Sequence, residues 1–279
     1  MAIIVVISAF TGCIFEVSTL FGIVFIHELG HLACARYFGW TVTEIQLLPF
    51  GGVLHVEQHD QVTFFEEMMV ALCGPLQHVW MIGLVVLGRN WGIFDVAWCD
   101  FFIKANLYIA VLNLIPIMPL DGGRMVQALL GYVMGYYHSL YWSVMSSLMF
   151  SFMIMSYATI QAYAYDFHLN LFVIGIFLLI TNVLTYRQIP LYFFRFLMNR
   201  SKRRLSTDAK RICLIPITVT EEVTLKDTLQ LFKKEHYHLV YVLKPNGRIG
   251  AVLHEQKLID QFLAGNRMTS KISDLFHVK

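Results

Sequence analysis

His27-Glu28-Leu29-Gly30-His31 places two imidazoles four residues apart with a carboxylate between them. On a helix, residues i and i+4 share a face, so both rings can bind one zinc ion. Glu28 is rotated off that face but close to it. Zinc makes water acidic enough for a neighbouring carboxylate to take its proton, and the pattern therefore suits metal-assisted hydrolysis. A hydrolytic zinc keeps three protein ligands and one open position, so a third donor must come from elsewhere. Asp121 is the candidate, in Asn113-Leu-Ile-Pro-Ile-Met-Pro-Leu-Asp121-Gly-Gly-Arg124. Pro116 and Pro119 prevent a continuous helix there, and Gly122 and Gly123 permit tight backbone. This puts Asp121 on non-helical backbone. The structural alternatives are a buried His-Glu-His hydrogen-bond cluster and an Asp121 that only caps a turn.

These residues sit in an unusually apolar chain. It is 57% hydrophobic and 14% charged, against roughly 25% charged in a soluble domain. Arg36, Arg89, Lys104 and Arg124 are the basic residues before position 187; the other 17 of 21 follow. Ionisable groups within an apolar span are costly unless they serve a site. That cost favours the metal reading of His27, Glu28 and His31 over the structural alternatives.

Apolar segments at 17–38, 68–87, 105–120, 139–165 and 167–186 are expected to span a membrane. A first segment, 2–15, reaches about 22 Å, short of the ~30 Å hydrocarbon core. Either it is marginal or the true start lies upstream. About six spans are expected. Between the second and third spans, β-formers around Gly51-Gly52 suggest a short hairpin or re-entrant turn. The expected domains are a transmembrane part at 1–186, with its core motifs in 17–130, a basic linker at 187–211 and a small α+β tail at 212–279.

The basic density after the last span puts the C-terminus in the cytosol. With six spans, the second and fourth then both run inward, and topology brings His27–His31 and Asp121 to one leaflet. The same basic stretch has an orienting role that makes nucleic-acid binding unnecessary. Cys13, Cys34, Cys73, Cys99 and Cys213 form no CxxC or Cys/His cluster, which excludes a disulfide framework and a thiolate zinc site. In the tail, strands are expected near 213–217, 239–243 and 249–253, with helices at 224–235 and 255–264. Lys244-Pro245-Asn246-Gly247 is the hairpin turn.

HELGH, LLPFGG, GPLQH and NLIPIMPLDGG, in this order, resemble the site-2 protease family of intramembrane zinc metalloproteases. The resemblance covers residues ~17–130. It is nearest the stage IV sporulation branch of endospore-forming bacteria. It implies zinc ligands at His27, His31 and Asp121, Glu28 as general base, and a substrate role for Asn113. Phe50, Gly51 and Gly52 would present the substrate at a strand edge, since a peptide must leave its helix before cleavage; a plain hairpin is the alternative. The branch implies a sigma-factor precursor as substrate, inhibitory membrane partners, and residence in the mother-cell membrane around the forespore. Many relatives carry Asn at the position of His78. A lone membrane histidine reads as a satisfied core residue, and the loop residues His55 and His59 read as solvated.

The tail, PITVTEEVTLKDTLQLFKKEHYHLVYVLKPNGRIGAVL, resembles a CBS module, a family that senses adenine nucleotides as paired modules. This implies ATP and self-association through the tail. The ribose and phosphate positions are degraded, however. They hold Leu253 and Gln256 in one register and His254 and Lys257 in the next. A zinc-binding membrane scaffold without catalysis and a metal transporter remain as other functions for such a site. Retention of Glu28 disfavours the scaffold, and the absence of internal repeats disfavours the transporter.

Overall fold

The computed structural model describes residues 14–48, 51–57, 62–164, 169–202, 214–264 and 271–275. Residues 1–13, which hold most of the first apolar segment, Phe50, His59 and the 203–213 stretch lie outside them. Five described helices are long and apolar enough to cross a membrane. The chain divides into two compact units, Met1–Val126 and Gln127–Lys279.

In the first unit, helix α1 (Ile14–Tyr37) is followed by strands β1 (Thr41–Leu48) and β2 (Gly51–Glu57), then by α2 (Phe64–Asn90) and α3 (Val96–Leu114). Helix α4 (Asp121–Val133) begins in this unit. Inside α1 the Ser18 and Thr19 hydroxyls donate to the carbonyls of Ile14 and Phe15, at 2.6 and 2.9 Å. Polar side chains in an apolar helix are thereby satisfied locally. The helix ends at Gly39, whose φ of 77° lets Gly39 N–H reach Arg36 O and Trp40 N–H reach Ala35 O. That double closure is the Schellman stop. The expected hairpin is present: β1 and β2 pair antiparallel, with Leu48 opposite Gly51 and Leu47 opposite Gly52.

Thr63 caps α2 by accepting from Glu66 N–H, and Asp95 caps α3 by accepting from Trp98 N–H. The fourth span thus begins at 96 rather than 105, because the Asp95 cap starts the helix earlier than hydropathy does. It stops at Leu114, before Pro116. Ile23, Met81 and Ala105 bury against one another where the three spans meet. Asp121 is the first residue of α4, not part of an irregular segment as the prolines suggested. The prolines end α3, and the chain re-enters helix after Leu120. Ile117 and Leu120 are buried and anchor the crossing.

In the second unit, α5 (Tyr136–Ala164) packs along α6 (Leu169–Lys202). The stretch from 187 was expected as linker, yet α6 continues as helix to Lys202. The reason is apolar spacing: Ile189, Phe193 and Leu197 are buried at i, i+4 and i+8. Phe193 and Leu197 join the core of the tail.

The tail runs β3 (Leu214–Thr220), α7 (Leu225–Gln230), β4 (Tyr237–Leu243), β5 (Ile249–His254) and α8 (Glu255–Leu263). Strand β4 is central, parallel to β3 and antiparallel to β5. Gly247, at φ 75°, closes the predicted β4–β5 turn. Leu225, Leu229, Phe232, Val240, Val242, Leu258 and Ile259 fill the core; each such side chain contributes about 1.5–3 kcal/mol.

Helix α7 ends at Gln230 instead of running to 235. Buried Arg200 of α6 takes up the carbonyls of Lys233, Lys234 and His236, and so holds that backbone out of helix. The same guanidinium pairs with Glu255 at 2.6 and 2.9 Å. Leu253 is buried in the core, and Gln256 donates to Ser201 O at 2.8 Å. Both are occupied within the fold, which does not support ATP at the tail.

Candidate metal centre

One helix and one helix start converge on a buried cluster within the first unit. His27 and His31 lie one turn apart on α1, and Asp121 opens α4. All three are 6% exposed or less. His27 Nε2 is 3.1 Å from His31 Nε2; Asp121 Oδ2 is 3.1 Å from the first and 3.2 Å from the second. Glu28, on the same turn of α1, is also buried. The structure brings His27, His31 and Asp121 together and buries Glu28 beside them in α1.

The surroundings explain how these donors are held. Gly122 and Gly123 fit where any side chain would strike the backbone of Leu114, Ile115, Ile117 and Met118. Their small size lets the first turn of α4 press against the crossing, which returns Asp121 to α1. On α2, a Cβ at Gly74 would strike the His31 ring and approach His27 Cε1 to 2.8 Å. Gly74 is therefore a wall of the site, and its missing side chain is the room that the donors occupy.

A metal fits this arrangement. Val70 O can only accept, so His31 Nδ1–H donates to it at 2.7 Å, which in the neutral ring leaves the Nε2 lone pair bare. That lone pair faces the Asp121 carboxylate, an acceptor aimed at another acceptor unless a cation lies between them. Zinc bonds of about 2.0–2.1 Å at tetrahedral angles set donors roughly 3.3 Å apart, close to the separations here. Two imidazoles and one carboxylate are also a known donor set for catalytic zinc.

Sequence reasoning missed two neighbours. His78, on α2, was read as a core histidine; its Nε2 lies 3.1 Å from His27 Nδ1. Asn106, on α3, was not singled out; its Oδ1 lies 2.9 Å from His78 Nδ1. The available signal was GPLQH itself. Gly74 and His78 are i and i+4, so the face that receives the α1 histidines also carries His78. Asn113 is half-buried on the last turn of α3. Gly51 and Gly52 open β2, and Phe50 lies outside the described residues. His55 stands in β2 across from Glu44.

The model of peptidase family M50 matches residues 15–89 and 89–157, a stretch that contains every residue of the cluster. The chain is 29% identical over 273 residues to stage IV sporulation protein FB of Bacillus subtilis, covering 98% of this chain and 92% of that one. It is 35% identical over 122 residues to zinc metalloprotease MJ0392 of Methanocaldococcus jannaschii, covering 42% of this chain and 34% of the relative. Among solved structures, the site-2 protease from Methanocaldococcus jannaschii superposes with a TM-score of 0.54 at 22% identity, covering 66% of this chain and 85% of that chain. The family decides for an enzyme over the scaffold and the transporter. A buried His-His-Asp cluster beside a glutamate, in a multi-pass apolar chain whose M50 match spans every one of those residues, makes this protein a member of peptidase family M50, an intramembrane metalloprotease of the site-2 type.

Proposed function

We propose that this protein hydrolyses a peptide bond within or beside a membrane-associated segment of a protein substrate, with His27, His31 and Asp121 as zinc ligands and Glu28 as general base. The supporting observation is the convergence of three buried donor atoms, 3.1–3.2 Å apart, next to a buried glutamate. Zinc bound there would supply a Lewis acid and an acidified water at neutral pH. Glu28 takes the proton of the attacking water and returns it to the departing amide nitrogen. The two imidazoles and the Asp121 carboxylate supply electron pairs and fix the site on rigid helices. Burial keeps bulk water out and strengthens the electrostatics within.

Helical peptides hide their carbonyls, so the substrate must be extended when it arrives. Among the described residues, β1 and β2 pair only with each other. Each keeps an outer edge that an extended segment could join, and the Phe50-Gly51-Gly52 stretch would present the substrate to it. Asn113, on the last turn of α3, would orient the substrate.

Likeness to stage IV sporulation protein FB over nearly the whole of both chains supports a sporulation role. Under that reading the substrate is a membrane-associated sigma-factor precursor and the site of action is the mother-cell membrane around the forespore. The basic residues beyond the last span support a cytosolic tail. Exposed Leu214, Ile249 and Val252 on its outer strands suit self-association.

The test uses the full chain in vesicles with such a precursor, intact or lacking its membrane segment. Cleavage of the intact precursor only, abolished by chelator, is expected. Equal cleavage of both forms, or chelator-resistant cleavage, would overturn the proposal.

A further inference from the structure

We propose that His78 and Asn106 are positioning residues that set the tautomer and direction of His27, so that its Nε2 lone pair faces the metal. This inference rests on the zinc reading of the centre above, and it concerns residues that contact no metal themselves.

The direction of the hydrogen-bond chain follows from its far end. Asn106 Nδ2 lies 2.9 Å from Phe102 O. A carbonyl can only accept, so the amide nitrogen faces Phe102 and the amide oxygen faces His78. That oxygen is 2.9 Å from His78 Nδ1 and can only accept, which puts a proton on Nδ1. Neutral His78 then presents a bare Nε2 to His27 Nδ1, 3.1 Å away. His27 must donate from Nδ1, and its own Nε2 is left without a proton. A reversed chain would set the Asn106 amide oxygen against the Phe102 oxygen.

The result matches what Val70 O does for His31 by a separate route. Both α1 histidines are held as Nδ1–H tautomers, and both Nε2 lone pairs converge on Asp121 Oδ2. Their rings meet edge to face, at 86° between planes. His78 is 2% exposed and Asn106 is fully buried, so water does not compete for these bonds. A leucine at 78 would leave His27 Nδ1 with a buried proton and no acceptor. His27 would then be free to carry its proton on Nε2, where it blocks the metal.

Partners of this kind typically contribute 10–100-fold to metal affinity. The test measures zinc affinity of the purified full chain in detergent, by competition with a chelating dye, together with thermal unfolding of the metal-free proteins. H78L is expected to weaken zinc binding about 10–100-fold. H78Q, whose amide oxygen can reach the place of Nε2, is expected to recover to within about threefold of the parent. N106L should weaken binding in the same direction while leaving every metal ligand and its direct neighbour in place, which keeps the inference testable if H78L fails to fold. The double variant H78L/N106L should bind no worse than H78L, because both act through one chain.

Zinc affinities of H78L and N106L within about twofold of the parent would overturn the inference, as would H78Q binding no better than H78L. If the parent itself binds no zinc, the metal reading fails first and this inference with it.

Discussion

Gly74→Ala adds one methyl group, and the structure says where it goes. The new Cβ would lie against the His31 ring, including Nε2, and 2.8 Å from His27 Cε1. Carbon atoms rest at about 3.5–4.0 Å, so His27 alone would have to retreat by roughly 0.7 Å or more. Neither ring is free to do so. His31 Nδ1 is tied to Val70 O at 2.7 Å and His27 Nδ1 meets His78 at 3.1 Å. Overpacking of this kind costs about 1–3 kcal/mol of stability, which leaves a folded protein. The larger effect is on the site, where displacement of reacting groups by about 1 Å can cost on the order of 100-fold. We expect G74A to lose cleavage on the order of 100-fold and to bind zinc measurably more weakly. Chelator competition on purified protein, with unfolding of the metal-free form as control, measures both effects. Zinc affinity within about threefold of the parent would refute Gly74 as the wall of the site.

Asp121→Ala should lower zinc occupancy. Four-ligand zinc sites bind with about 10–16 kcal/mol, so one ligand is worth on the order of 3 kcal/mol, roughly a hundredfold in affinity; unchanged metal content by elemental analysis would reduce Asp121 to a helix-start residue. Arg200→Leu leaves Glu255 charged and buried without its guanidinium, and should destabilise the tail by about 3–5 kcal/mol, read as faster hydrogen exchange in β4. The tail should also weaken on acidification. Burial, with Arg200 nearby, holds His238 below its ordinary value of 6.5, against the opposing pull of Glu255. Burial would raise the Glu255 carboxyl, but hydrogen bonds from His238 and Arg200 outweigh it and keep it below its ordinary 4.5. In both cases the unfolded chain binds more protons than the folded one, so stability falls as pH drops below about 6.5 and further below about 4.5. Protease resistance of the tail that is flat from pH 7 to pH 4 would contradict these assignments.

Much of the centre was legible because its geometry is local. An HExxH spacing sets two rings on one face of any helix, and the membrane makes their burial expensive. Asp121 was legible through the PLDGG motif, although its backbone was not. Pro116 and Pro119 announce the end of α3 but not that helix resumes immediately after Leu120. His78 was not legible as a partner, since its contact with His27 depends on how α1 and α2 pack and Gly74 is what lets them approach. The reach of α6 to Lys202 was masked by charge. Its basic residues suggested a linker, while Ile189, Phe193 and Leu197 carried the helical spacing in plain sight. The length of α7 was beyond local propensity, because Arg200, from a different helix, captures the carbonyls that would have continued it.

The central claim is that Glu28 serves as the base at a zinc held by its neighbours. The most direct measurement compares the parent with Glu28→Gln in the same vesicles, recording zinc content and cleavage of a membrane-associated precursor. The account predicts equal zinc in both proteins, and cleavage by E28Q reduced by at least about 100-fold. Parent-level cleavage by a zinc-loaded E28Q protein would contradict it.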